Sequence, residues 1–212
     1  VFPLGDNVPA NTEAPLADSV SSVLRQPFIL FVSTIERRKN HEVLYRAYHL
    51  LCKQGKTDLP KLVFVGMQGW GVNDLMQDIQ LDPVTANHIC MLNQVTDAEL
   101  AALYQATLFC VFPSRYEGWG LPVGEALAMG KAVISSCRGS LPEVGGELVT
   151  YLDPWDPNAW AQEIYRTATD HAYRHQLEAR IKRDYQPRTW ADAARPISQA
   201  IEQLVADEEQ RT

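Results

Sequence analysis

Short apolar runs alternate with segments of helical spacing along most of the chain, and this alternation is the feature that most constrains its fold. Six such runs occur, at residues 28–33, 61–66, 88–92, 108–112, 132–135 and 149–152. Each has the length of a strand and is largely apolar along its whole course. Strands of this kind are buried on both faces, which is typical of a parallel sheet covered by helices. The sequence therefore predicts an α/β fold, with a doubly wound, Rossmann-like parallel sheet of about six strands.

Helix signals fill the intervals between these runs. Asn40 is the predicted N-cap of a helix after the first strand, and capping boxes at 96–99 and 140–143 predict two further helix starts. After the sixth run the pattern is helical only, over 158–185 and again over 189–207. The chain is thus expected to end in a helical tail.

The expected domain organisation follows from these patterns. The first 27 residues are rich in Pro, Ala, Ser and Asn and show little periodicity. We expect a linker or arm over 1–27, one Rossmann-like domain over 28–185 and a C-terminal helix over 186–212.

Composition excludes several function classes. The 212 residues carry 19 Lys and Arg against 26 Asp and Glu, a net charge of −7, which argues against a nucleic-acid partner. The longest apolar runs fall far short of the roughly 20 residues that span a bilayer. No signal peptide or initiator Met is present, so we expect a fragment of a cytoplasmic protein. The four cysteines fit neither a disulfide framework nor a zinc site, and buried thiols are expected.

The loop after the first strand carries three consecutive cations, Arg37, Arg38 and Lys39, in an otherwise acidic protein. Ligands of open α/β sheets bind at the carboxyl ends of the strands, where this loop lies. Lys39 would supply a point charge and Arg38 a planar fork to a phosphate group. The alternative is a solvated charge run without a ligand.

The loop after the fourth strand is rich in glycine. Gly118 and Gly120 would let the backbone approach a ligand closely, and Pro122 suits a first helical turn. The amides of Leu121 and Val123 would then face a ligand above the sheet. A diphosphate fits such a helix N-terminus.

Two carboxylates, Glu117 and Glu125, bracket this glycine loop. A carboxylate accepts hydrogen bonds from sugar hydroxyls, so the pair could hold sugar rings on either side of a diphosphate. As a bare spacing this signal is weak. Combined with the glycine loop and Lys39 it becomes strong.

These residues resemble the motifs of a known family. Residues 114–128 (Ser-Arg-Tyr-Glu-Gly-Trp-Gly-Leu-Pro-Val-Gly-Glu-Ala-Leu-Ala) resemble the E-x7-E signature of the family four retaining glycosyltransferases. Residues 36–40 (Glu-Arg-Arg-Lys-Asn) resemble the phosphate motif after that family's first strand, and 96–104 and 140–143 resemble its intervening segments. The likeness covers about 28–156.

This resemblance implies a GT-B enzyme of two Rossmann-like domains, of which the chain is the C-terminal, nucleotide-sugar-binding one. Residues 1–5 resemble the segment that joins the two domains. The missing N-terminal domain and a glycan or lipid-linked glycan acceptor are the implied partners. No separate cofactor is implied, because the nucleoside-diphosphate sugar is itself the donor substrate.

The resemblance also implies residue roles. Glu117, Arg38 and Lys39 form the catalytic set: Glu117 holds the transferred sugar and the two cations bind the diphosphate. Glu125 binds the ribose, and the base lies near Gln94 and Val95. The rest of the implied donor-binding set is Ser33, Thr34, Gly66, Gly118, Trp119, Gly120, Leu121, Pro122 and Val123. Some members have Arg where Ser33 and Thr34 stand here, and Phe is commoner than Trp119.

In the mechanism implied by the family, the acceptor attacks on the face from which the nucleotide leaves, with retention. The cations stabilise the charge that grows on the leaving diphosphate. No metal is expected, because the five histidines do not cluster with carboxylates in ligand spacing. The alternative function is a non-catalytic Rossmann-like nucleotide-binding or regulatory module. Cations after the sixth strand raise the further prospect of peripheral membrane contact, at Arg166, Arg174, Arg180, Lys182 and Arg183.

Overall fold

A computed structural model describes residues 4–6, 15–56 and 58–209. Its centre is a six-stranded, all-parallel sheet with the order β3-β2-β1-β4-β5-β6. The strands are β1 (Phe28–Val32), β2 (Lys61–Val65), β3 (Ile89–Leu92), β4 (Cys110–Phe112), β5 (Val133–Ser136) and β6 (Thr150–Leu152). The predicted fold class is confirmed, and each predicted strand lies within a residue or two of its observed bounds.

Helices cover the sheet between and after these strands. They are α1 (Asp18–Leu24), α2 (His41–Lys53), α3 (Asn73–Leu81), α4 (Asp97–Ala106), α5 (Leu121–Ala128), α6 (Leu141–Gly145), α7 (Pro157–Thr169), α8 (His171–Asp184) and α9 (Trp190–Glu209). Short 3₁₀ turns occur at Arg37–Lys39 and Gly146–Leu148. No helix of the described residues is long and apolar enough to cross a membrane.

The strand order reverses at the centre of the sheet, and this positions the site. β1 pairs with β2 on one side and meets β4 on the other through Leu30 and Cys110. The chain therefore leaves β1 and β4 toward opposite flanks, and a crevice opens between the loops that follow them. This crevice is the topological switch point at which open α/β sheets bind ligands.

The core is built from the apolar stripes that the sequence predicts. In α2, Leu44, Ala47, Tyr48 and Leu51 are buried at helical spacing. α2 packs on α7, whose Trp160 is fully buried. This packing fixes the loop between β1 and α2, because both of its ends belong to buried elements.

The expected linker over 1–27 is wrong for part of its length. Residues 18–24 form α1, and Val20 and Val23, three positions apart, are buried in the core. The backbone amide of Ala17 donates to Glu99 Oε1 at 2.7 Å, which ties the start of α1 to α4. Residues 1–3 and 7–14, including most of the predicted domain-joining segment 1–5, lie outside the described residues.

The predicted helix over 158–185 is in fact two helices. Asp170 separates α7 from α8, and its side chain accepts a hydrogen bond from the Tyr173 amide as the N-cap of α8. Arg174 is buried and donates to the carbonyls of Thr167 and Ala168 at the end of α7. The break is stabilised from both sides, by a cap on one helix and a cation on the carbonyls of the other.

Two of the three predicted caps are also corrected. The capping box of Thr96 and Glu99 is present as predicted. Asn40 instead has left-handed backbone with φ 63°, and its amide donates to the carbonyls of Pro113 and Pro154. Ser140 makes no side-chain cap: its φ of −87° and ψ of 4° differ from the extended backbone of an N-cap residue, and its hydroxyl donates to carbonyls of the loop after β4.

Of the four cysteines, only Cys110 is fully buried. Cys52 and Cys90 are half-buried and Cys137 is exposed, so the expectation of buried thiols is wrong for Cys137. Cys137 directly follows β5 and lies outside the buried strand.

Candidate functional site

The loops after β1 and β4 meet across the switch point. The Arg115 amide donates to the Arg38 carbonyl at 2.8 Å, and Asn40 reaches the Pro113 carbonyl at 3.0 Å. The left-handed backbone of Asn40 turns the chain into α2 and leaves its side chain free for this bond. The two loops are therefore joined by both main-chain and side-chain hydrogen bonds.

Glu117 is the centre of the charged cluster that this junction creates. Its Oε1 accepts hydrogen bonds from Lys39 Nζ at 2.6 Å and Ser114 Oγ at 2.7 Å, and its Oε2 accepts from Arg38 Nη1 at 2.8 Å. The Glu117 side chain retains only 11% of its exposure. The three residues predicted as catalytic thus share one ion-paired cluster.

Arg38 is held by more than Glu117. Its Nη2 donates to Glu36 Oε1 at 2.6 Å and its Nη1 also donates to the Tyr116 carbonyl at 2.9 Å. Burial lowers the pKa of Arg38, but hydrogen bonds and charge from Glu117 and Glu36 outweigh it and raise the pKa overall. The guanidinium is a fixed positive charge at the mouth of the crevice.

The glycine loop adds free amides beside this cluster. Gly120 has φ +102° and a Cβ there would lie 2.6 Å from a Leu141 methyl group, so glycine is required. Within the described part of the chain, the amides of Gly118, Trp119, Gly120 and Leu121 have no hydrogen-bond acceptor. The Val123 amide instead donates to the Gly120 carbonyl at 3.0 Å, which corrects its prediction as a ligand donor. The free amides precede α5, as anion binding at a helix N-terminus requires.

Ser140 binds two main-chain carbonyls of the glycine loop. Its hydroxyl lies 3.1 Å from the Glu117 carbonyl and 3.2 Å from the Trp119 carbonyl. Because those carbonyls point toward Ser140, the neighbouring amides are left for the crevice. Pro122 occupies the first turn of α5, as predicted.

Glu125 lies one turn into α5 and is buried, with 7% exposure. Its Oε2 accepts a hydrogen bond from the Tyr104 hydroxyl at 2.9 Å. Burial raises the pKa of Glu125 above its usual value, and the hydrogen bond from Tyr104 opposes that rise. The negative charges of Asp6 and Asp97 raise it further.

The remaining predicted donor-binding residues lie along the same edge. Gly66 directly follows β2 with φ +149°, and a Cβ there would come within 2.1 Å of the Ser33 carbonyl, so the ends of β1 and β2 are in close contact. Ser33 is half-buried and Thr34 is exposed. Gln94 is exposed after β3 with φ 56°, an uncommon backbone for this residue type, and Val95 is half-buried beside it.

Sequence reasoning missed four contributors to this site. Ser114, Tyr104, Ser140 and Glu36 each bind a predicted site residue, but a hydroxyl or carboxylate partner leaves no periodic signal. In the sequence, the only sign of these four residues is that they lie within the motif segments. No group of three or more His, Cys, Asp or Glu side chains that could hold a metal is found among the described residues.

Three of the basic residues considered for membrane contact have partners within the chain. Arg174 is buried, Arg180 pairs with Glu147 at 3.1 Å and Arg183 pairs with Asp184 at 2.7 Å. This arrangement gives no support to a basic membrane-binding face on α8.

Comparison with known proteins decides the family. Residues 17–184 match the family model described as glycosyl transferases group 1. The chain belongs to this family. It is 36% identical over 155 residues to the O-antigen chain mannosyltransferase B of Escherichia coli, a match that covers 73% of this chain and 40% of that protein. It is 31% identical over 171 residues to the serotype-specific mannosyltransferase WbdA of Escherichia coli, covering 81% of this chain and 21% of that protein.

Solved structures agree with this assignment. Sucrose-phosphate synthase from Thermosynechococcus elongatus superposes with a TM-score of 0.72 at 27% identity, over 97% of this chain and 52% of that one. HepE of Anabaena, solved with UDP and glucose, superposes with a TM-score of 0.71 at 17% identity, over 89% of this chain and 53% of that one. The group 1 chain thus shares its fold with glycosyltransferases, and it spans two fifths or less of the length of the two mannosyltransferases.

Proposed function

We propose that the chain is the donor-binding half of a retaining glycosyltransferase. It binds a nucleoside-diphosphate sugar, whose sugar passes to a hydroxyl of a glycan or lipid-linked glycan held by a second GT-B domain. The observation that carries this proposal is the cluster of Arg38, Lys39 and Glu117 across the switch point, beside free amides of the glycine loop.

The cluster suits a diphosphate flanked by a sugar. Lys39 and Arg38 provide the positive charge and Gly118 to Leu121 provide main-chain donors, so the leaving diphosphate is stabilised as its charge grows. Glu117, on the same loop, is placed to accept hydrogen bonds from hydroxyls of the transferred sugar. Because the leaving diphosphate can take up the acceptor proton, no protein base is needed.

Glu117 also bridges the two cations. Its carboxylate lies 2.6 Å from Lys39 Nζ and 2.8 Å from Arg38 Nη1. Donor binding then exchanges carboxylate contacts for phosphate contacts and releases Glu117 toward the sugar. This exchange couples occupation of the diphosphate site to the formation of the sugar site.

The ribose and the base complete the donor. Glu125 accepts from the ribose hydroxyls, and the base lies against the main chain near Gln94 and Val95. The names of the two relatives make mannose the first sugar to test and polysaccharide biosynthesis the first context. A cytoplasmic location belongs to the same proposal, because the donor is a soluble nucleotide sugar.

Titration calorimetry of the chain with UDP, GDP and ADP tests this function. At least one should bind, and Glu125→Gln should weaken it by about tenfold, the effect of losing a hydrogen bond to a charged group. Glu163→Gln is the matched control, because Glu163 also accepts a tyrosine hydroxyl, from Tyr173 at 2.8 Å, but on α7. Binding of none of the three nucleotides, or equal effects of the two substitutions, would refute the proposal.

A further inference from the structure

Among the described residues, Tyr104 makes one hydrogen bond of normal length, and its partner is Glu125, the candidate ribose-binding residue. Tyr104 is fully buried on α4, and its hydroxyl donates to Glu125 Oε2 at 2.9 Å. The next nearest acceptor, the Pro122 carbonyl, is 3.5 Å away. The capping box of Thr96 and Glu99 fixes the start of α4, so the phenol is held by a rigid helix.

The two oxygens of Glu125 have different surroundings. Oε2 is bound by Tyr104, whereas Oε1 accepts no hydrogen bond from any residue that the structure describes. A buried carboxylate with one oxygen tethered keeps a single orientation, and the other oxygen remains available to a ligand hydroxyl.

The negative charges near Glu125 disfavour its ionised form, and the hydrogen bond from Tyr104 opposes this effect. Asp97 on α4 and Asp6 before α1 are both negative, and the Cys110 thiol on β4 adds no positive charge. Tyr185, after α8, donates to Asp6 at 2.9 Å and does not reach Glu125. Tyr104 is therefore the one described side chain that donates a hydrogen bond to this carboxylate.

We infer that Tyr104 is a positioning residue for donor binding: its hydroxyl tethers Oε2 of Glu125, so that Oε1 is presented to the ribose hydroxyls. This inference rests on the proposed function. The ligand group that Glu125 would recognise is the ribose of a nucleoside diphosphate.

Nucleotide binding by Tyr104→Phe is the first test, with Tyr48→Phe as the matched control. Tyr48 is equally buried and also loses one hydrogen bond, to the Pro60 carbonyl, but on α2. Tyr104→Phe should weaken the best-binding nucleoside diphosphate by about tenfold and its 2′,3′-dideoxy analogue by less than about twofold, since the analogue lacks the hydroxyls that Glu125 reads. Tyr48→Phe should alter neither. Equal losses for both ligands would reveal a merely structural role and overturn the inference.

A second measurement needs no nucleotide and so separates this inference from the proposed function. The carboxyl carbon of Glu125, followed by NMR, should titrate at higher pH in Tyr104→Phe than in the parent chain, because the bond that favours the ionised form is gone. Tyr48→Phe should leave the titration unchanged. If no nucleotide binds but the titration shifts, the proposed function fails and the tether stands. An unshifted titration overturns the tether.

Discussion

Asp82 and Glu125 are both carboxylates of low exposure, and their surroundings are opposite. Asp82, directly after α3, is a saturated acceptor: its two oxygens receive four hydrogen bonds, from Tyr45, His49, Val84 and Thr85 at 2.8–3.1 Å. Burial raises its pKa, but these hydrogen bonds dominate and lower it to about 2. Glu125 receives one hydrogen bond, and its pKa is raised.

This difference separates a structural carboxylate from a binding one. The saturated Asp82 joins α2 to the segment between α3 and β3 and offers nothing to a ligand. Glu125 receives one hydrogen bond from the described residues, so its second oxygen remains available to a ligand hydroxyl. Glu117 lies between the two extremes, because its partners Lys39 and Arg38 are themselves groups that a phosphate would bind.

The largest expected effect is on nucleotide binding by Lys39→Met. Loss of this cation removes a charged donor to the diphosphate and leaves Glu117 with a less compensated negative charge beside it. We expect the affinity for a nucleoside diphosphate to fall by about a hundredfold or more in calorimetry. Lys61→Met, at the start of β2 on the opposite edge of the sheet, should leave the affinity unchanged. A similar affinity for the two variants would contradict the placement of the diphosphate.

Asp82→Asn and Glu125→Gln should change stability in opposite directions. Asp82→Asn removes charge-assisted bonds and should lower the free energy of unfolding at pH 7 by about 1–3 kcal/mol, with nucleotide affinity unchanged. Glu125→Gln removes a buried charge and should raise the melting temperature while weakening the nucleotide. Urea and thermal unfolding measure both. A loss of stability in both variants would abolish the distinction between the two carboxylates.

The loss of stability at low pH provides a further test of the contrast between Asp82 and Glu125. The folded pKa of Asp82, about 2, lies below its unfolded value of roughly 4, so its contribution is present above pH 4 and declines as the pH falls toward 2. Asp82→Asn should therefore differ from the parent chain at pH 7 and converge with it near pH 2. Urea midpoints at pH 7, 4 and 2.5 would show this, and a constant difference would contradict it.

A smaller and less intuitive effect is expected for Glu117→Gln. The substitution removes one negative charge beside Lys39 and Arg38, so a nucleoside diphosphate competes with less charge for these cations and should bind a few-fold tighter. Sugar transfer by the complete enzyme should be lost at the same time. Weaker nucleotide binding by this variant would show that Glu117 does not compete with the phosphate.

The smallest effect is expected for Ser140→Ala. The hydroxyl holds the carbonyls of Glu117 and Trp119, and its loss should loosen the glycine loop without removing a ligand contact. We expect nucleotide affinity to fall about twofold to fivefold, a loss of roughly 0.5–1 kcal/mol. No change would indicate that Leu141 and Gly120 fix the loop unaided.

The sheet and its edge could be predicted because buried strands and strand-end motifs are local signals. Apolar runs placed all six strands, and the cations after β1 and glycines after β4 converged as the parallel order requires. The absence of side-chain caps at Asn40 and Ser140 could not be predicted, because carbonyls 21 to 114 residues away fix the orientation of these side chains, and neither then accepts from a helix amide. Local chemistry alone does not determine which partner such a side chain selects.

The buried helix α1 escaped prediction for a related reason. Its two buried valines form a stripe too short to stand out beside Pro-rich neighbours, and only the packing against α4 reveals it. The Tyr104–Glu125 bond is likewise tertiary: both residues are visible in the motifs, but their 21-residue separation bridges two helices. The sequence pattern does not reveal which residues of different helices and strands bind each other.

The most direct test of this account is a backbone amide NMR titration of the chain with the nucleoside diphosphate that binds best. The account predicts that the largest shifts occur at Gly118, Trp119, Gly120 and Leu121 and in the loop of Lys39, and that the surroundings of Asp82 do not move. Shifts centred on the Asp82 cluster, with the glycine loop unchanged, would contradict a donor site at the switch point.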